Sequence, residues 1–252
     1  MSLTLPCRRR AAAVCLMLPL LSAAAAGAEV EFADQFAPAW RDAGDAEIRL
    51  QSSLEIAAET AFTALTDKVL TGAAPGTSLI FSAESSLSEP WVCTAAGDIS
   101  INNLSLASRC GAGLFCAQGE LSLSAVTLLI DEQTATNTTL FCGEGGVALS
   151  AVTLDLTLDS TATLDPGLSY TLFETGGAAF TAEDLRAITL TGPGGAASHA
   201  ELSLADGGHA IRLTLTPEPA STTLSLLALA ALVLRRRRPA DRTGRPRRAE
   251  KG

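Results

Sequence analysis

The chain has 252 residues, 47% hydrophobic and only 4% aromatic, with a formal net charge of −9. Between residues 29 and 216 it carries 24 acidic side chains against six basic ones (Arg41, Arg49, Lys68, Arg109, Arg186 and Arg212), a net charge of −18. A field of that sign repels nucleic acid and anionic membrane surfaces, which excludes a nucleic-acid partner, and it keeps a segment of this length soluble around one modest core.

At the N-terminus, Arg8, Arg9 and Arg10 precede an apolar region over residues 11–21, followed by the small-x-small sequence Ala26-Gly27-Ala28 and then Glu29. This reads as a secretory signal peptide, residues 1–28, cut by signal peptidase between Ala28 and Glu29. Cys15 lies inside the apolar region, but Ala12-Ala13-Val14 lacks the small residue that a lipoprotein signal places just before its cysteine, so lipidation is not expected.

Residues 29–90 form an N-terminal cap region. Leu50, Leu54, Ala58, Phe62, Leu65 and Val69 recur at three- and four-residue spacings with Gly72 just beyond, which predicts a capping helix over residues 47–70. Residues 91–160 repeat. Phe115, Cys116, Gly119 and the run Leu123-Ser124-Ala125-Val126-Thr127-Leu128 recur at an offset of 26 as Phe141, Cys142, Gly145 and Leu149-Ser150-Ala151-Val152-Thr153-Leu154. A looser copy, beginning at Gly97 with Cys93 ahead of it, places Ile99-Ser100-Ile101 22 residues before Leu121-Ser122-Leu123.

Each unit reads as two short strands with a corner at Ser124-Ala125 or its counterpart. Leu121 and Leu123, then Val126, Leu128 and Ile130, keep an apolar face at period two; Val152, Leu154, Leu156 and Leu158 do the same against Thr153, Asp155, Thr157 and Asp159. So short a unit cannot bury its apolar face alone, so neighbours must stack on it. The fold class expected is mainly β: a short parallel β-helix, a solenoid-like ectodomain with an N-terminal capping helix. The units resemble the Gly- and Ser-rich rungs of autotransporter passengers and polymorphic outer-membrane proteins. Leucine-rich repeats are the rival, since Leu123-x-x-Val126-x-Leu128 satisfies half of that consensus, but Arg109, Asp131 and Thr157 stand where its Asn ladder belongs.

Residues 161–215 close the domain. Asp165-Pro166-Gly167 signals a turn, Tyr170-Thr171-Leu172-Phe173 a strand, and residues 200–208 and 210–215 the two arms of a hairpin.

Beyond it, Thr216 and Pro217-Glu218-Pro219 lead into an apolar run over residues 220–234 and then Arg235, Arg236, Arg237 and Arg238. The prolines separate this run from what precedes it. Fifteen residues of helix reach roughly 22 Å, short of the ~30 Å hydrocarbon core of a bilayer, so the span is a weak membrane anchor. The arginines fix the tail, residues 239–252, on the cytoplasmic side. Residues 216–238 resemble the sorting signal of PEP-CTERM proteins. That resemblance implies a Gram-negative host, a transient transmembrane sorting helix in the inner membrane, release by an exosortase-type processing enzyme to the cell surface or medium, and a link to extracellular polysaccharide and biofilm. The fourteen residues after Arg238 depart from the family pattern.

With Cys7 and Cys15 removed in the signal peptide, Cys93, Cys110, Cys116 and Cys142 remain for an oxidising compartment. The repeat alignment puts Cys93, Cys116 and Cys142 at equivalent places, and adjacent strands lie about 4.8 Å apart, within the Cα range of a disulfide. The pairing favoured is Cys116 with Cys142 and Cys93 with Cys110. A zinc site lacks a Cys-x-x-Cys pair and a nearby histidine, so no metal is assigned.

Catalytic chemistry finds little support. Polysaccharide lyases of β-helix form work with basic residues, and Lys68 is the exported part's single lysine. Asp155 and Asp159 form one carboxylate pair for glycoside hydrolysis, but four residues of strand separate them by about 13 Å, beyond the 5–9.5 Å that the reaction uses. His199 and His209 come with no nucleophile elbow, and Gly192-Pro193-Gly194-Gly195 lacks a phosphate-loop context. The expected role is therefore a non-catalytic surface or extracellular-matrix protein presenting a repetitive acidic β-surface for adhesion or polysaccharide contact, without cofactor. A glycan-active β-helix enzyme, hydrolase or lyase, is the alternative.

Overall fold

A computed structural model describes residues 27–82, 87–131, 134, 138–157, 168–192 and 197–216. The predicted signal peptide up to Ala26, the Asp165-Pro166-Gly167 turn, and the sorting signal with its span and tail lie outside the described residues. Among the described residues no helix is long and apolar enough to cross a membrane.

The chain is mainly β with parallel sheets. Strand β1 (Ala28–Val30) leads into helix α1 (Ala33–Arg41), and the next stretch holds four strands, β2 (Glu47–Leu50), β3 (Leu54–Ala57), β4 (Phe62–Ala64) and β5 (Lys68–Gly72). The helix expected over residues 47–70 is therefore not formed. Burial alternates at period two inside each strand, at Ile48 and Leu50, Leu54 and Ile56, Phe62 and Ala64. Turns between these strands shift the phase, and the shifts mimic a helical spacing. Leu65, placed on the expected helix face, is 78% exposed.

β6 (Ser78–Ser82), β7 (Trp91–Ala95), β8 (Ile99–Arg109), β9 (Gly113–Ala117), β10 (Glu120–Ile130), β11 (Phe141–Gly143), β12 (Gly146–Ser150) and β13 (Val152–Leu156) follow. β14 (Leu168–Thr175), helix α2 (Ala182–Arg186), β15 (Ile188–Thr191), β16 (Ala200–Ala205) and β17 (Ala210–Leu215) complete the chain. The larger sheet runs β1-β2-β5-β8-β10-β13-β15, with β6 and β12 paired to β8 and β10 and β3 paired to β6. The smaller runs β4-β7-β9-β11-β14 in parallel and ends with the antiparallel pair β17-β16, the predicted hairpin. Each circuit from β4 onward adds one strand to the smaller sheet and a bent one to the larger. Parallel pairing reaches back to β1 and β2, so the stack begins well before residue 91.

The register is the one that the repeats encode. Leu121 pairs with Ile99 and Leu128 with Leu106, 22 residues back; Leu123 pairs with Leu149 and Leu128 with Leu154, 26 ahead. Like side chains consequently stack on the inner face, in a row Leu79, Leu106, Leu128 and Leu154. The corner falls where it was expected, at Ala125 (φ +53°), with Asn103 (+51°) and Ala151 (+52°) as its counterparts. Asn tolerates that left-handed conformation, and the Asn103 Nδ2 group donates to the Gly72 carbonyl at 3.1 Å. Alanine has no such compensation. We expect Ala125→Gly to raise the unfolding free energy by up to about 1 kcal/mol, the left-handed penalty less the entropy that glycine adds to the unfolded chain. A drop in thermal midpoint would show that the alanine methyl packs at the corner.

Helix α1 closes the N-terminal end. Phe36, Ala39 and Trp40 are its buried face, and Trp40 Nε1 donates to the Thr94 carbonyl at 3.1 Å. A capping helix thus exists, but at 33–41 and not within 47–70. Nine residues with Pro38 inside them carry too little periodicity to announce it. The loop after α1 is gathered by Lys68, 1% exposed, whose Nζ donates to the carbonyls of Ala39, Asp42 and Asp45 at 3.4, 2.5 and 2.6 Å.

Candidate functional surface

In-register stacking turns each outward position into a row. On the larger sheet Ser78, Ser105, Thr127, Thr153 and Thr189 follow one another across five strands. Beside them run Asn102, Ser124 and Ser150, and then Ser100 with Ser122, whose hydroxyls are 2.8 Å apart. The face carries regularly spaced hydroxyls with a repeat of about 4.8 Å. Asp155 stands on this side of β13 with Thr191 as its register partner. Its proposed partner Asp159 lies outside the described residues.

The smaller sheet has the outward row Thr63, Thr94, Cys116, Cys142 and Glu174. Thr94 donates to Thr63 at 3.1 Å. Cys93 is not a member, which corrects the repeat alignment. It pairs with Phe62 and Phe115 and points into the core, while Thr94 holds the place equivalent to Cys116. The strand is offset by 22 residues here, so the dipeptide Phe-Cys of later units has Cys-Thr as its counterpart.

All four cysteines are thiols in this structure. Cys116 and Cys142 are direct register partners. The Cys116 thiol is pushed up by its hydrogen bond to Cys142 and by burial; Cys142 is lowered by the same bond, against burial, Glu174 and Glu144. Burial, and next the proximity of Cys110, raise the Cys93 thiol.

An open groove of about 360 Å³ lies at the hairpin end of the smaller sheet, lined by Cys142, Glu144, Glu174, Thr175, Asp206 and His209 among others. Several of its polar groups are engaged within the protein. Glu174 accepts from Thr139 Oγ1 at 2.7 Å, Arg212 pairs with Asp206 at 2.7 Å, and His209 Nδ1 lies 3.2 Å from the Thr175 carbonyl. Among the described residues no three His, Cys, Asp or Glu side chains are placed to hold a metal ion. His199 uses its carbonyl to accept from the amide and hydroxyl of Thr216. A second groove, of about 400 Å³, gathers Glu89, Trp91, Thr138 and Thr139 on the side where β7 and β9 begin.

Of the sorting residues, Ala28 and Glu29 are described and stand in β1, where Glu29 faces Arg49 in register. Ala26, Pro217, Glu218, Pro219 and Arg235, Arg236, Arg237 and Arg238 lie outside the described residues. Sequence reasoning missed Lys68 as a tether and Trp91 as a groove wall. The signals were present: the single lysine of residues 29–216, and one of the two tryptophans there, directly after Ser88-Glu89-Pro90. No family model, curated protein or solved structure matches this chain.

Proposed function

We propose that this chain is an exported, exosortase-sorted surface or matrix protein whose folded part is a short parallel β-helix, presenting a repetitive acidic β-surface to extracellular polysaccharide without catalysing a reaction. The observation that carries this reading is the five-strand row Ser78, Ser105, Thr127, Thr153 and Thr189 with its flanking hydroxyls. A linear polymer whose hydroxyls recur along its length meets such a surface by many weak hydrogen bonds, and their number replaces a deep pocket. The −18 charge of residues 29–216 favours uncharged polymers and keeps the protein dispersed once released.

Export supports the cysteine pairing. Cys116 and Cys142 are register partners on adjacent strands, and Cys110 is near enough to Cys93 to raise its thiol pKa. Cutting after Ala28 leaves Glu29 and Val30 to pair with Arg49 and Leu50, so the new N-terminus begins at the edge of the larger sheet.

Intact-mass analysis and unreduced peptide mapping of membrane and extracellular fractions from the native host test the export, the sorting step and the disulfides. The expected extracellular form starts at Glu29, ends near Pro219 and yields Cys116–Cys142 and Cys93–Cys110 cross-linked peptides. A membrane form that keeps Arg235 through Gly252 would make the tail a permanent anchor and remove the exosortase step. Four free thiols would remove the disulfides.

The groove that gathers Glu144, Glu174 and Asp206 favours the second reading, a glycan-active enzyme, because glycoside hydrolysis needs converging carboxylates. Reducing-end release from host exopolysaccharide, abolished in Glu174→Gln, would establish it in place of the first.

A further inference from the structure

The exterior of this protein is almost free of aromatic surface. Phe36, Trp40, Phe81, Phe115, Phe141 and Phe173 are fully buried, Tyr170, Phe62 and Phe180 nearly so, and Phe32 is the large aromatic left exposed. Trp91 is the exception inside a groove. It is half-buried and lines a concavity of about 400 Å³ together with Ser88, Glu89, Pro90, Thr138 and Thr139.

The indole is held in place by what is missing beneath it. Trp91 and Gly113 are register partners, and a β-carbon on Gly113 would stand 2.4 Å from both Cε3 and Cζ3 of the ring. Only glycine leaves that space, so the six-membered ring sits down on the backbone of β9, and Gly113 N in turn donates to the Pro90 carbonyl at 2.9 Å. The polar rim is also ordered. Ser88 Oγ donates to Glu89 at 2.7 Å, Thr138 Oγ1 to the Gly111 carbonyl at 3.3 Å, and Thr139 Oγ1 to Glu174 at 2.7 Å. Each hydroxyl that donates to the protein keeps its oxygen lone pairs for a ligand donor.

We propose that this groove is a binding subsite for one uncharged pyranose unit of a glycan. A pyranose has an apolar C–H face and a rim of hydroxyls, and the groove offers an aromatic wall beside a carboxylate and three hydroxyls, the mixture that orients a ligand of that shape. Its volume accommodates a sugar ring with its first-shell water. Charge selects among sugars: Glu89 in the rim and the −18 net charge around it repel uronates and other anionic units. Through Thr139 the groove adjoins Glu174 on the outer row of the smaller sheet, so a chain bound at Trp91 can continue along that face.

This deepens the polysaccharide-facing reading above and rests on it. The experiment uses the extracellular protein, with β-1,4-glucan, β-1,3-glucan and β-1,4-mannan hexasaccharides as neutral probes and hexagalacturonate as the anionic one. Because Trp40 is fully buried, acrylamide quenching of tryptophan emission reports on Trp91. At least one neutral probe is expected to bind and shield that emission, and Trp91→Ala to weaken its binding by about tenfold or more. Trp91→Phe should fall between the two, with unchanged thermal midpoints. Hexagalacturonate should bind at least about tenfold more weakly than the neutral probe. Neutral-probe binding without shielding in the wild type, or binding kept in a folded Trp91→Ala, overturns the subsite and leaves the polysaccharide reading standing. Tighter binding of hexagalacturonate overturns the charge selection, and failure of all three neutral probes overturns the subsite and the polysaccharide contact together.

Discussion

Phe115→Ala is expected to lower the unfolding free energy by about 3–5 kcal/mol, the range for removing a buried phenylalanine whose surroundings cannot collapse into the space. Phe115 is fully buried at the centre of an aromatic column. Its ring lies 6.1 Å from Phe141, which lies 5.4 Å from Phe173; on the other side it meets Trp40 at 5.6 Å and Phe81 at 6.0 Å. The column joins the repeated rungs to the capping helix, because Trp40 belongs to α1. Parallel strands fix the spacing of the rungs, so neighbouring rings cannot slide together to fill the void. Equilibrium urea unfolding measures the loss. Phe32→Ala is the control, at 58% exposure, and should change stability by less than about 0.5 kcal/mol. A loss at Phe115 below about 1 kcal/mol would mean that the two sheets close around the vacancy.

The Phe-Cys repeat that placed this column also shows why some of the fold was legible and some was not. Stacking copies a row of side chains from one rung to the next, so repetition at offsets of 26 and 22 carried the register, the corner at Ala125 and the inner leucine row directly. The closing hairpin was legible for a local reason, Asp206-Gly207-Gly208 between alternating arms. Where the rungs do not repeat one another, the pattern loses its phase. In β2 to β5 the strands are three to five residues long, and the turns between them re-phase the apolar positions into a false helical spacing. Cys93 failed for a related reason, since aligning cysteine with cysteine ignored that its strand is offset by 22 and faces inward. The groove at Trp91 was illegible because its geometry depends on Gly113 and on Thr138 and Thr139, which reach it from the two following circuits of the chain. One sequence gives no sign that residues 91, 113 and 139 meet. Lys68 poses the same problem, since its partners are backbone carbonyls and leave no trace in composition.

Lys68→Met should cost about 3 kcal/mol. The substitution keeps most of the volume of the side chain but removes the donor that the three carbonyls of Ala39, Asp42 and Asp45 share. The Ala39 acceptor is buried and those of Asp42 and Asp45 are part-buried; a fully buried acceptor left without a partner costs about 1–3 kcal/mol, and water entering from the groove beside Asp42 and Asp45 relieves part of the loss at the other two. The ammonium also sits at the C-terminal end of α1, where a cation complements the helix dipole. Local loosening should accompany the global loss: amide exchange in α1 accelerates more than in β8 or β10. The pH dependence has a definite sign. Burial lowers the Lys68 pKa from 10.5, with Asp45 and then Asp42 opposing. Between that lowered value and 10.5 the unfolded chain holds more of the proton than the folded one, so this lysine's contribution to stability rises with pH across the window. Below the lowered value both states are protonated and the contribution is flat. The wild-type curve should accordingly pull away from the Lys68→Met curve as pH approaches 10.5. A loss under about 1 kcal/mol with α1 exchange unchanged would mean that water replaces the ammonium and that the cap is held by Phe36 and Trp40 alone.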